Sequence, residues 1–426
     1  VMPMGVENEA WVTWEFTIPS NGTTWIKVGL LWSNSQAGVG QEMYIDQIEL
    51  VKVTGSQYDN ARCSDYSFIT YDVPGSSSPA SQSYLYGQVS KTENANATAW
   101  YSYDEDGLLV WMKQNVVGLG LKSVDYTYDY FGNVTMVAYQ TGQADVFYHH
   151  YDYDIDQQLV NVYTSFDGAV KTLHSKYKYY IHGGLKRMEL GGNLQGLDYV
   201  YTIDGNLKSI NHSDVAKDPG GDGTNGFGVD AFGETFNYYD TDYAGAGYSA
   251  GTFATLGTTD KFNGMIKAQS WFTPVDNPST RKVYGFTYDN LNQLTNAQFG
   301  SVSGTAGSYA ATFPDDKYRE GAISYDKNGN IQALLRKGKT ANTLGNYAYT
   351  YTAGTNKLAS ITNNGSAMMS YTYNTIGQMT QQVEAGVGTL KVAYNAYGLV
   401  RDVRDATNAL LTTYSYDDRG NKVSKT

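Results

Sequence analysis

Cysteine is nearly missing from this chain. Cys63 stands alone in 426 residues, so no disulfide can form within it and the redox compartment stays open. There are only five histidines, which leaves few imidazoles for metal binding or proton transfer. Of 8 prolines, none falls between Ser81 and Asp218 or after Pro314, and proline-free tracts suit sheet, where proline would cost ladder hydrogen bonds. No apolar run approaches the roughly 18 residues that span a bilayer. The opening VMPMGVENEA has neither the charged nor the apolar region of a secretory leader. Basic residues are few, 30 Lys+Arg against 42 Asp+Glu for a net charge of −12, and nucleic-acid binding needs clustered cations. H-E-x-x-H and P-loop patterns are absent, and no G-x-G-x-x-G stands in a strand-to-helix dinucleotide context. The chain therefore reads as a non-enzyme, with no catalytic, cofactor-binding or metal-binding residue assigned.

What the chain has in excess is tyrosine, 39 residues against 14 Phe and 7 Trp, together with 46 Gly. Tyrosine favours a pleated, half-buried surface, and glycine favours tight turns. The composition predicts an all-β protein.

Residues 1–54 predict part of a β-sandwich. AWVTWEFTI alternates Val12, Trp14, Phe16 and Ile18 with polar residues, WIKVGLLW follows, and YIDQIELVKV closes the set. The closing strand resembles that of carbohydrate-binding jelly-roll modules. That resemblance makes Asp46 a position that helps hold a structural calcium in some such modules; a solvated strand residue is the plainer reading. Three strands are too few for a sandwich, which places its first half upstream of Val1 in a longer polypeptide. Residues 55–84, rich in Ser, Gly and Pro, read as a connection, within which YSFITYDV could pair as a strand.

From residue 85 a motif recurs every ~22–25 residues, the signature of a repeat architecture. Its clearest copies are YDEDGLL (Tyr103, Gly107), YDYFGNV (Tyr128, Gly132), YDIDQQL (Tyr153) and YTIDGNL (Tyr201, Gly205). They continue with YDNLNQL (Tyr288), YDKNGNI (Tyr325, Gly329), YNTIGQM (Tyr373, Gly377), YNAYGLV (Tyr394, Gly398) and YDDRGNK (Tyr416, Gly420). YYIHGGL (Tyr179) and YTAGTNKL (Tyr351) are looser copies. A second aromatic two residues before the motif tyrosine shares its strand face. Asp or Asn starts a turn by bonding its own backbone, the glycine supplies positive φ, and an apolar residue begins the return strand. Each copy is thus about one hairpin. Residues 213–280 break the pattern and read as a glycine-rich looped insertion.

These copies resemble the YD repeats of Rhs proteins, also found in toxin-complex C components and in teneurins. GLDYVYTIDGNLKSINH, followed by DPGGDG and DAFG, is similar to the Bacteroidetes type of Rhs-repeat protein. The resemblance covers residues 85–426. It implies a hairpin array spiralling into a hollow β-shell that encloses or presents a C-terminal toxin of the same polypeptide. Export machinery and a secreted or cell-surface location are implied with it. The adhesive use of YD repeats in teneurins implies the alternative, a cell-surface adhesion or glycan-binding protein. The family's plug-like core and its aspartyl self-cleavage do not carry over: YDDRGNKVSKT is not followed by that motif, and Asp218-Pro219 does not match it.

Chemistry elsewhere has few candidates. In HHYDYD, His150, Asp152 and Asp154 share a strand face and could hold a cation, against the simpler reading of a polar face. DPGGDG (218–223) is acidic but lacks EF-hand spacing, so calcium there competes with a plain loop. Cys63 has no histidine near it in sequence and reads as an inert thiol. The motif tyrosines either offer stacking platforms to sugars and partners or pack the array, and their fixed place ahead of each turn favours packing.

Overall fold

A computed structural model of the chain describes residues 12–16, 26–30, 67–239, 260–274, 281–303 and 310–426. Asp46, Cys63 and the third N-terminal strand expected at YIDQIELVKV lie outside them. The described residues form an all-β antiparallel hairpin array, with two single-turn 3-10 segments at Gly191–Asn193 and Val215–Lys217. Two of the three expected N-terminal strands are present. Val12–Phe16 and Ile26–Leu30 pair antiparallel, Val12 opposite Leu30.

The chain divides into two units, residues 1–146 with 391–426, and residues 147–390. In the first, strands Phe68–Tyr71, Val89–Glu93, Ala97–Tyr103, Leu109–Val116, Gly120–Tyr128 and Val134–Tyr139 pair each with the next. Val400–Arg404, Leu410–Tyr416 and Lys422–Lys425 form a second run in the same unit. The second unit is built in the same way from Phe147–Tyr153 through Met379–Glu384.

One local geometry repeats. At YDYFGNV, Tyr128 pairs with Val134, and the register shifts just before the tyrosine. The Asp129 N–H donates to the Asn133 carbonyl at 2.9 Å and the Gly132 N–H to the Asp129 carbonyl at 3.1 Å. Gly132 has φ +83. This is a type I turn closed by a left-handed residue and a bulge, one of the common short hairpin connections. The Asp129 carboxylate then accepts the N–H groups of Phe131 and Asn133, both at 2.9 Å. An aspartate in this place satisfies two donors that the turn would otherwise leave to water.

Burial differs along the second unit. Every residue of Leu358–Asn363 and Met379–Glu384 is half-buried, so neither sheet face there is fully covered. Gly196–Tyr201, Gly233–Asn237 and Ala268–Phe272 instead alternate strictly, with one face buried, and Arg281–Tyr288 does so over residues 281–286. Ala268, Val283, Val302 and Ala311 form a small apolar core against Phe313. The segment 213–280 is thus more than a loop. Gly233–Asn237 and Ala268–Phe272 are ladder strands paired with each other, and they join Leu207–Ile210 to Arg281–Tyr288.

Candidate functional site

The motif tyrosines reach across repeats. Tyr128 donates its hydroxyl to the carbonyl of Leu109 at 2.8 Å, the residue that opens the return strand of the preceding copy. Tyr179 does the same to Leu159, Tyr325 to Leu294, Tyr351 to Ile331, Tyr373 to Leu358 and Tyr416 to Val400, at 2.7–2.9 Å. Tyr103 and Tyr288 bond the Val89 and Ile266 carbonyls. Tyr153, Tyr201 and Tyr394 pair in their own hairpins with Leu159, Leu207 and Val400. In the eight that reach across, the hydroxyl that a ligand platform would offer outward is spent on the neighbouring backbone. Burial accordingly raises the Tyr128, Tyr179, Tyr325 and Tyr416 hydroxyls above their ordinary value.

Seven motif glycines, Gly107, Gly132, Gly205, Gly329, Gly377, Gly398 and Gly420, have φ between +77 and +94. YDIDQQL and YDNLNQL have no glycine, and Gln157 and Asn292 take the same conformation at φ 62 and 61. The motif also closes a turn that carries no tyrosine. Asp405 accepts the N–H groups of Thr407 and Ala409, and Asn408 has φ 70.

HHYDYD does not assemble a cation site. His150 is buried and stacks on Tyr148, with Nε2 lacking a hydrogen-bond partner. Asp152 is exposed and accepts from Asn161, while Asp154 is committed to its turn through the Asp156 and Gln158 N–H groups.

Sequence reasoning missed the buried polar cluster of the second unit. Arg187, from Leu185–Leu190, is 6% exposed. Its guanidinium bonds Asp198 of the next strand, reaches Asp222 of DPGGDG at 2.6 Å and Glu189 at 3.2 Å, and stacks on the Phe227 ring at 4.8 Å. A Cβ on Gly196 or Gly220 would collide with the guanidinium. These two glycines are therefore required by close approach. The Asp222 side chain is fully enclosed and also accepts the Gly196 N–H at 2.8 Å. Asn211 donates to Asp230 and to the Phe232 carbonyl, both at 2.9 Å, and its Oδ1 accepts the Asp198 N–H. The loop 213–232 is pinned to the sheet by these bonds.

Charge is in excess here. Burial raises Asp198 to about 6 despite Arg187. Burial, reinforced by Asp218, Asp222 and Asp198, raises Asp230 to about 8. Asp222 is held below its ordinary value: burial opposes this, but Arg187, Asn225 and the Gly196 N–H outweigh it. Burial lowers His212 to about 4, and its Nδ1 accepts the Asp214 N–H at 2.9 Å. Among the described residues, Asp198, Asp218 and Asp222 are the one group whose oxygens lie close enough to share a cation, within 4.8 Å of one another. The Arg187 guanidinium already sits on two of them. The arrangement is an ion-pair clasp, and a metal would have to displace its arginine. DPGGDG was visible in the sequence as an acidic loop, but nothing there signalled Arg187 or Asp198 as its partners.

No protein-family model matches the chain, and no curated protein does. Among solved structures it is similar to the crystal structure of TcdB2-TccC3 without the hypervariable C-terminal region. The two are 14% identical over 80% of this chain, with a TM-score of 0.31. The chain spans 21% of the length of that protein. The Tc holotoxin pore of Photorhabdus luminescens is matched at 14% identity over 80% of this chain and 20% of that one, with a TM-score of 0.29. A porin-like protein from Bacteroides uniformis is matched at 14% identity over 51% of this chain and 86% of its own length, with a TM-score of 0.15. No helix among the described residues is long and apolar enough to cross a membrane.

Proposed function

We propose that the chain is a wall segment of a larger secreted Rhs/YD-repeat protein, serving to enclose or present an effector carried by the same polypeptide. The observation that carries this reading is the tyrosine hydroxyl bonded into the preceding repeat, as at Tyr128 and Leu109. A residue used in that way builds a continuous wall, and its repetition multiplies surface without concentrating chemistry at any point. The adhesive alternative draws on the turn tips. Tyr130, Ile155, Ile181 and Ile203 are almost fully exposed, and apolar tips of this kind suit contact with another protein.

Limited proteolysis of the parent polypeptide tests the enclosure. The segment downstream of residue 426 should resist protease in the intact protein and be digested when expressed alone. Equal digestion in both settings would sink the reading. Capture of a surface receptor by this chain, with no protection of the downstream segment, would favour adhesion.

A further inference from the structure

In the first unit, two stretches far apart in the chain meet. One is the turn at 94–96 with the hairpin of Ala97–Tyr103 and Leu109–Val116, and the other is the hairpin of Leu410–Tyr416 and Lys422–Lys425. Side chains join them. Asn94 and Asn96 donate their amides to the Tyr416 carbonyl at 3.2 and 2.9 Å, across 322 and 320 residues of sequence. Gln114 donates to Asp417 at 3.3 Å, and the Arg419 guanidinium covers the Tyr101 ring at 5.0 Å.

Each side of this joint also holds itself together. Asn94 Oδ1 accepts the Asn96 and Ala97 N–H groups, both at 2.9 Å, which fixes the turn. Ala97–Tyr103 is laddered to Leu109–Val116 along its whole length. In the other hairpin, Asp417 accepts the Arg419 and Asn421 N–H groups at 3.0 and 2.8 Å, and Tyr416 bonds the Val400 carbonyl at 2.7 Å. Successive hairpins are tied differently: Leu109–Val116 and Gly120–Tyr128 share a backbone ladder of six residue pairs. The joint is loosely packed as well. The turns at 94–96, 395–399 and 417–420 border a cavity of about 460 Å3, whereas close-packed interiors leave few voids larger than a water.

We propose that this joint is a latch in the wall. The hairpin at Leu410–Lys425 parts from Asn94–Val116 while both sides keep their fold, and the gap gives an enclosed effector a way out. Its ladder to Val400–Arg404 stays paired and serves as the hinge. A few side-chain bonds beside a void give way before a backbone ladder does, because local opening follows regions with few packed contacts. The role as an exit rests on the enclosure reading, whereas the parting itself does not.

The test is a distance measurement between two spin labels on the full 426-residue chain. The labels sit at Glu105→Cys and Leu411→Cys, both exposed, in a Cys63→Ser background. In buffer the parent should show one narrow distance. In urea below the global midpoint a second, longer distance should appear while the amides of both ladders stay protected from hydrogen exchange. Asn94→Ala combined with Asn96→Ala should raise the longer population about fivefold. Arg419→Gln should raise it by itself, through loss of the contact with Tyr101. Arg336→Gln, at an exposed ion pair with Glu320 in the second unit, should not. The proposal is overturned if a single distance persists up to the global transition, or if the latch variants match the parent. Loss of ladder protection together with the change in distance overturns it equally. Protease protection of the downstream segment reads the enclosure separately, so either result can fail alone.

Discussion

Gln157 occupies the position that seven copies of the motif give to glycine. An L side chain in the left-handed region costs roughly 1–2 kcal/mol, and glycine gives back part of that through the entropy of the unfolded chain. Gln157→Gly should therefore stabilise the protein by about 0.5–1 kcal/mol, read as a higher denaturation midpoint. Tyr373→Phe should cost about 1 kcal/mol, because the Leu358 carbonyl loses its donor. An unchanged urea midpoint in that variant would show the bond to be worthless. Residue-scale structure was the most legible part of the sequence. The turn needs only Asp129, Gly132 and Asn133, and its hydrogen bonds span no more than four residues. The destination of the tyrosine hydroxyl was not legible. It depends on the register between hairpins, which no single copy encodes.

Among the elements, the loop 213–232 illustrates why glycine-rich sequence need not mean an unattached loop. The buried charges anchor it to the sheet, so Arg187→Ala should cost about 3–5 kcal/mol by leaving Asp198 and Asp222 without their cation. Thermal melts would check this, and a loss under 1 kcal/mol would argue against the clasp. The cluster also carries a pH signature. Asp230, at about 8 against an ordinary ~3.9, keeps a proton in the folded chain that the unfolded chain has released. Stability should therefore fall as pH rises from ~4 to ~8. Asp198, at about 6, adds to the fall up to that pH. His212, at about 4, works the other way, so its contribution to stability grows with pH up to ~6.5. Above ~6.5 Asp230 acts alone within the cluster. The melting temperature should drop between pH 6.5 and 8, a change that Asp230→Asn should abolish. Sequence patterning showed DPGGDG and the strand GLDYVY separately. Their union was invisible because it is made by an arginine that no motif marks, on a strand from a different hairpin.

At the scale of the whole molecule, each hairpin is tied chiefly to its neighbours, as in other repeat proteins. Tyr351→Phe and Tyr373→Phe lie in adjoining hairpins and should show a coupling energy of ~0.5 kcal/mol or more. Tyr128→Phe combined with Tyr351→Phe should be additive within ~0.5 kcal/mol. A double-mutant cycle by chemical denaturation distinguishes the two, and equal coupling for both pairs would contradict the neighbour-to-neighbour account. The all-β class and the hairpin array were legible from periodicity alone, because turn and strand chemistry return at a fixed interval. The way residues 233–237 and 268–272 rejoin the ladder was not, since neither stretch carries a full motif. The motif tyrosines have one further consequence. In Tyr128, Tyr179, Tyr325, Tyr351, Tyr373 and Tyr416 alike, the later repeat supplies the donor and the earlier one the acceptor. The array therefore has a direction that matches synthesis. A hairpin leaving the ribosome closes its own turn at once, but its return strand waits for the next tyrosine to emerge. Translation itself would then fasten the protein one rung behind the growing end.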